Sequence, residues 1–172
     1  MGFPEIRGIG RDMKKFTNEL RGLVKSFQFA LRGFRFCILN ERNMRIHIVV
    51  LAMVLYFSML FGLAEEEWIL LIIVSSLVLV CEMINTAIEA LVNLGTSSYD
   101  NVARVAKDVA AGAVFLTAFM AVIVGGILFI KPDKLYALIC LTVNQPLLII
   151  PFVLLLIVGS LFVLFGSRLK RQ

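Results

Sequence analysis

The chain has 172 residues, 60% of them hydrophobic, and a formal net charge of +5; its mean hydropathy is +0.93. That apolar share lies well above the roughly 45–50% of soluble domains. The composition therefore excludes a water-soluble globule and predicts an all-α integral membrane protein with a few spans of about 20 residues each. One histidine and three scattered cysteines (Cys37, Cys81, Cys140) exclude a His- or Cys-ligated zinc or copper site. Any metal here would be a hard cation on carboxylate oxygens, hence Mg²⁺ or a relative.

Residues 1–15 read as a polar, Gly- and Pro-containing lead without a signal-peptide pattern. Over residues 16–39, Phe16, Leu20, Leu23, Phe27, Leu31 and Phe34 recur at helical spacing, with Arg21, Lys25, Arg32 and Arg35 on another face. That pattern predicts an N-terminal amphipathic helix lying in the membrane interface, its basic side against anionic lipid headgroups. Nucleic acid is disfavoured as a partner, because the rest of the chain offers no soluble binding domain. Spans follow over residues 46–64, 68–92 and 109–130. A fourth, over 146–165, carries Pro151 near its start, where proline disturbs a helix least. Residues 131–145 form a mixed connector ahead of it.

Charge fixes the expected orientation. With the N-terminus inside, segments 1–45, 94–108 and 166–172 hold fifteen Lys and Arg residues, against two in the outer segments 65–67 and 131–145. The triplet Glu65-Glu66-Glu67 then faces outward and caps the positive end of the next helix. The small residues Ala106, Ala110, Ala111, Gly112 and Ala113 let the third span approach its neighbours closely. No internal repeat is visible, which disfavours an inverted-repeat transporter.

Glu82, Asn85 and Glu89 stand on one face of the second span. A carboxylate at mid-bilayer depth costs roughly 2.5–3.5 kcal/mol on insertion scales, so three aligned polar groups need a reason. Counted from Trp68, Glu82 lies about 21 Å inward and Glu89 about 32 Å, near the inner headgroups. Two clusters arrive at that level: Glu41, Arg42, Arg45 and His47 before the first span, and Arg104, Lys107 and Asp108 before the third. A structural polar seam between helices remains one explanation. Phosphoryl transfer to a hydroxyl dissolved in the membrane is the other. Glu41 and Glu89 could then hold Mg²⁺ against a nucleotide's phosphates, with Lys107 neutralising phosphate charge. Glu82 could orient or deprotonate the lipid hydroxyl, and Asn85 fix that carboxylate or the hydroxyl. A Walker A signature is absent, so residue spacing alone does not identify ATP.

At these residues the chain resembles the prokaryotic diacylglycerol kinase/undecaprenol kinase family of small membrane lipid kinases. The similarity runs over residues 26–130 and rests on Glu82-Met-Ile-Asn-Thr-Ala-Ile-Glu89, Arg104-Val-Ala-Lys-Asp-Val-Ala-Ala-Gly-Ala-Val114 and Asn40-Glu-Arg-Asn-Met-Arg-Ile-His47. The resemblance implies a lipid kinase domain over residues 16–130, working as a homotrimer in the bacterial inner membrane with sites shared between protomers. MgATP would be the donor and a lipid alcohol the acceptor. It implies Glu82 as the catalytic carboxylate, Glu41 and Glu89 as metal ligands, and Asn85, Lys107 and Asp108 as phosphate or nucleotide contacts. Phe29, Gly33 and Arg35 would border the nucleotide, while Arg45 and His47 are candidates for positioning the substrate. Asn43–His47 leans toward the undecaprenol kinase branch, leaving undecaprenol slightly ahead of diacylglycerol. In two respects the chain departs from the family: Asn93 stands where an acid is usual, and residues 131–172 are an unmatched extension. An ion- or proton-coupled carrier relaying through Glu82, or a non-catalytic scaffold, would leave the convergence of acids, Lys107 and Asn85 unexplained.

Overall fold

The computed structural model describes residues 5–95 and 101–166, with side-chain surroundings from residue 16 onward. Part of the loop between the second and third spans, and the basic C-terminal end with Arg168, Lys170 and Arg171, lie outside the described residues. Helix accounts for almost everything described, and no strand occurs among those residues. A bilayer demands this, because a helix satisfies its backbone hydrogen bonds within the segment.

The chain divides into two compact units, Met1–Phe36 and Cys37–Gln172. Helix α1 (Glu5–Asn40) supplies the first and starts well ahead of residue 16, so most of the polar lead is helical. Gly8 and Gly10 each cost about 1 kcal/mol against alanine. Strong helix formers around them, among them Arg7, Arg11, Met13 and Lys14, outweigh that cost. On α1, Phe16, Leu20, Leu23, Phe27 and Leu31 stay exposed, the apolar face that a membrane interface would cover.

The second unit holds α2 (Arg42–Phe61), α3 (Glu65–Gly95), α4 (Asn101–Phe129) and α5 (Pro132–Asn144), then a 3₁₀ turn (Pro146–Leu148) running into α6 (Ile149–Phe165). Four segments are long and apolar enough to cross a membrane: α2, α3, α4 and Pro146–Phe165. Only 11% of the α4 window and 6% of the Pro146–Phe165 window are buried, so hydrocarbon or another protein must cover these surfaces. The most extensive packing joins α3 to α4, while α6 lies chiefly on α2. The connector expected between the third and fourth spans is itself helical, as α5, which opens with Pro132 in its first turn.

Helices α3 and α4 both outrun the apolar stretches that mark them in the sequence. At 31 residues, α3 is about 46 Å long, against a hydrocarbon core of about 30 Å. The surplus turns carry Asn93 on α3 and Arg104 and Lys107 on α4. Hydropathy marks where a helix meets lipid, whereas backbone hydrogen bonding carries it on into the headgroups.

The opposite end of the bundle is closed by charge and aromatic packing. Helix α2 stops at Gly62, whose φ of +68° suits glycine and whose N–H donates to the Ser58 carbonyl at 3.1 Å. Glu67 accepts the Ala64 N–H at 2.9 Å, which caps the start of α3. It also pairs with Lys131, and with Lys134 at 3.6 Å, while Lys134 donates to the Gly62 carbonyl at 2.6 Å. Phe57, Phe61 and Phe129 pack beneath, their ring centroids 5.1–5.7 Å apart.

Tyr56 ties α2 to the start of α6: its hydroxyl donates to Leu148 O at 2.6 Å. A hydrogen bond of this kind contributes about 0.5–1.5 kcal/mol net. Tyr56→Phe should therefore destabilise the folded protein by about 1 kcal/mol, read as a lowered unfolding midpoint in mixed micelles. An unchanged midpoint would mean that this bond contributes nothing.

Candidate functional site

The site is built on a bend. Between α1 and α2 a single residue, Glu41, leaves the helical conformation, with φ −102° and ψ 122°. Its N–H still donates to Cys37 O at 2.8 Å, and its carbonyl accepts from Arg45 N–H at 3.4 Å. The bend is therefore one residue wide and hydrogen-bonded on both sides. It needs neither proline nor glycine, and it sets Glu41 at the corner.

Against this corner stands the polar face of α3. Glu82 is 1% exposed, and Asn85 and Thr86 are buried beside it. The Thr86 hydroxyl donates to the Glu82 backbone carbonyl at 2.9 Å and lies beside the Cys37 thiol of the α1 end. Burial pushes the Cys37 pKa above its ordinary value; the neighbouring Thr86 hydroxyl opposes the rise, and the nearby charges of Glu41 and Glu82 add to it. Glu41 and Glu89 both lie within electrostatic reach of the Glu82 carboxylate. The expected acids therefore do converge.

Asn85 serves a different carboxylate from the one nearest it in depth. Its Nδ2 donates to Glu89 Oε1 at 3.1 Å, one turn along the helix, and fixes that side chain. This leaves Glu82 Oε2 and Asn85 Oδ1 buried with no hydrogen-bond partner. Buried polar atoms in folded proteins are nearly always paired, so two unmatched acceptors on one face, like the buried Arg45 Nε, stand out from the rest of the bundle.

Helix α4 brings a cation to the same region. Lys107, half-buried, donates to Asn93 Oδ1 at 2.7 Å, and Asn93 stands one turn beyond Glu89 on α3. Asn93 thus serves as a neutral anchor that holds the ammonium group without cancelling its charge. Asp108 and Arg104 are exposed, with no pairing to the acids on α3 shown. Arg45 turns back onto the α1 side of the corner: it is 3% exposed, and its Nη1 donates to Ile38 O at 3.0 Å and Leu39 O at 3.3 Å. Its cation thereby caps the last carbonyls of α1. His47 is half-buried and lines an apolar cavity of about 400 Å³ between α2, α3 and α4, with Val50, Val54, Val78, Ala121 and Phe129.

Phe29, Gly33 and Arg35 belong to the first unit. There the Arg32 guanidinium lies 5.4 Å from the centre of the exposed Phe29 ring, and Gly33 and Arg35 stand free on the helix surface. Among the described residues no group of three or more His, Cys, Asp or Glu side chains is placed to hold a metal ion. Mg²⁺ commonly takes one or two carboxylates and fills its shell with water and phosphate oxygens, so Glu41 and Glu89 are the residues that could hold it. The sequence analysis missed Cys37 and Thr86 as parts of the site. Their spacing was the available signal, since Cys37 precedes Glu41 by one turn and Thr86 follows Glu82 by one turn.

A small helical membrane protein with a buried carboxylate, paired acids and an anchored lysine at one end of the bundle defines a narrow class. The family profile described as prokaryotic diacylglycerol kinase matches residues 28–129. The chain belongs to that family. It is 40% identical over 111 residues to a diacylglycerol kinase of Synechocystis, covering 64% of this chain and 63% of that one, so it spans less than two thirds of that relative's length. It is 36% identical over 119 residues to an undecaprenol kinase of Bacillus subtilis, covering 69% of this chain and 97% of the relative. A diacylglycerol kinase of Haemophilus influenzae is 30% identical over 115 residues, 66% of this chain and 97% of its own. No solved structure matches the chain.

Cys37 is a native reporter of the corner. In the folded protein it should resist N-ethylmaleimide, and its alkylation should accelerate at least tenfold on unfolding, read by peptide-resolved mass spectrometry. Labelling at the rate of a free thiol in the folded protein would contradict its burial against Thr86.

Proposed function

We propose that the protein is an ATP-dependent lipid kinase that phosphorylates the hydroxyl of a membrane lipid alcohol. The observation that carries this is the pair of buried, unpartnered oxygens, Glu82 Oε2 and Asn85 Oδ1, set beside Glu41 and Glu89. Both are acceptors, and a lipid hydroxyl brings the one donor that Glu82 lacks. Undecaprenol stands slightly ahead of diacylglycerol as the acceptor. Supporting that order, the Asn43–His47 stretch leans toward the undecaprenol kinase branch.

In this scheme the acceptor's hydrocarbon lies along the apolar cavity between α2, α3 and α4. Its hydroxyl then reaches Glu82. The Glu82 carboxylate takes the hydroxyl proton as the oxygen attacks the γ-phosphorus of ATP. The bond from that phosphorus to the β,γ-bridging oxygen breaks, and ADP leaves. Lys107, held by Asn93, offers its positive charge to the phosphates. Glu41 and Glu89 would hold Mg²⁺, which when bound neutralises charge across the phosphate chain. Asn85 orients Glu89 for that task.

The same proposal extends to the assembly. The N-terminus faces the cytoplasm, as the distribution of Lys and Arg favours. The basic side of α1 meets anionic headgroups of the bacterial cell membrane. A homotrimer would cover part of the apolar surface that α4 leaves unburied, with Asp108 among the nucleotide's surroundings.

Glu82→Gln should cut phosphate transfer from labelled ATP to lipid by at least 100-fold, within the usual range for a general base, while the protein still elutes as the parent does. Transfer within a few-fold of the parent would remove Glu82 from the chemistry. Glu89→Gln should raise the Mg²⁺ concentration for half-maximal transfer about tenfold. An unchanged Mg²⁺ dependence would exclude Glu89 as a ligand.

A further inference from the structure

The extension beyond the family match is joined to α2 at three heights. At one end the Tyr56 hydroxyl donates to Leu148 O at 2.6 Å. Midway, Gly159 meets Val49 so closely that a Cβ there would lie 2.5 Å from Val49 Cγ1. At the far end, just past α6, a Cβ on Gly166 would lie 2.6 Å from Arg45 Cδ and 2.9 Å from its Nε. Both glycines are buried, and each contact requires the absence of a side chain.

The third contact touches the site's foundation. Arg45 is 3% exposed and holds Ile38 O and Leu39 O through Nη1. Those carbonyls end α1, and the only non-helical residue between them and α2 is Glu41. Gly166 packs on the stem of the same arginine, so its backbone holds the guanidinium against the carbonyls. A membrane anchor alone would need no such register.

We propose that α6 is a positioning element for the site. Its Gly166 end wedges Arg45 onto the last turn of α1, and this fixes the bend that aims Glu41 toward Glu82 and Glu89. Gly159 seats the helix against Val49 so that Gly166 arrives at the right height. The consequence for metal binding rests on the lipid-kinase assignment above. The mechanical link from α6 to the bend does not.

The test compares full-length Gly166→Ala, Gly159→Ala and the pair Gly159→Ala/Val49→Ala with the parent in mixed micelles. Alanine improves an isolated helix over glycine, so any loss reports the contact with α2. Two quantities are read: the rate of Cys37 alkylation by N-ethylmaleimide, and the Mg²⁺ concentration giving half-maximal phosphate transfer. Both single variants should speed Cys37 alkylation at least threefold and raise the Mg²⁺ requirement by a similar factor, with KM for the lipid unchanged. Removing the Val49 methyls should return Gly159→Ala toward the parent, which a general loss of folding would not allow. Parent-like alkylation in both single variants would overturn the link between α6 and the bend. Faster alkylation with a parent-like Mg²⁺ requirement would overturn its role in placing Glu41. A Glu41→Gln protein with the parent's Mg²⁺ dependence would instead sink the metal assignment, and Cys37 alkylation would still decide whether α6 fixes the bend.

Discussion

A carboxylate that is 1% exposed on a membrane-spanning helix is the constraint from which the rest of the bundle follows. Removing an ion from water without a partner costs several kcal/mol even after relaxation. Glu82 can therefore persist only where neighbouring elements enclose it and something answers its lone pairs. Here α3 gives it a polar face, with Thr86 and Asn85 beside it, and the α1–α2 corner closes over that face. One of its oxygens is still left unmatched. Stability alone would favour an apolar residue at this position; the acid is better explained by a bound molecule that supplies the missing donor.

The corner is the second requirement, and it depends on Arg45. A helix that ends leaves carbonyls without intrahelical donors, and near a membrane water answers them poorly. Arg45 reaches back to two such carbonyls and lets α1 stop at Asn40 while α2 starts at Arg42. The acid between them can then leave the helical conformation without breaking the chain's hydrogen bonding. Arg45, which the sequence offers as a candidate for positioning the substrate, is engaged by the backbone of the corner. Asn93 differs from the usual family acid in a comparable way: it accepts from Lys107 without neutralising it.

The number of membrane-crossing segments was legible in the sequence, because uninterrupted apolar runs of this length have one stable conformation in a bilayer. So was the shared face of Glu82, Asn85 and Glu89, since helical spacing alone determines it. The ends of α3 and α4 were not, because hydropathy falls off at the headgroups while the helix continues. Asn85's choice of Glu89 turns on side-chain rotamers, and spacing permits either acid. The direction of Arg45 was hidden for a related reason: its partners are backbone carbonyls, which leave no mark in the residue pattern. The docking of α6 on α2 was equally invisible, as Gly159 and Gly166 read as ordinary glycines until Val49 and Arg45 are seen against them.

Acids and a lysine gather at one end of the bundle, and an apolar cavity lined by Val50, Val78 and Phe129 runs from His47 toward the other. In the proposed reaction they serve as oxygen donors for a metal, a cation for phosphate and a hydrocarbon path for the acceptor. The most direct measurement is phosphate transfer by the purified full-length chain in mixed micelles, with γ-labelled ATP and Mg²⁺, offered undecaprenol and diacylglycerol separately. Label should appear in a lipid phosphate, with undecaprenol the better acceptor. Label that enters neither lipid would contradict the account.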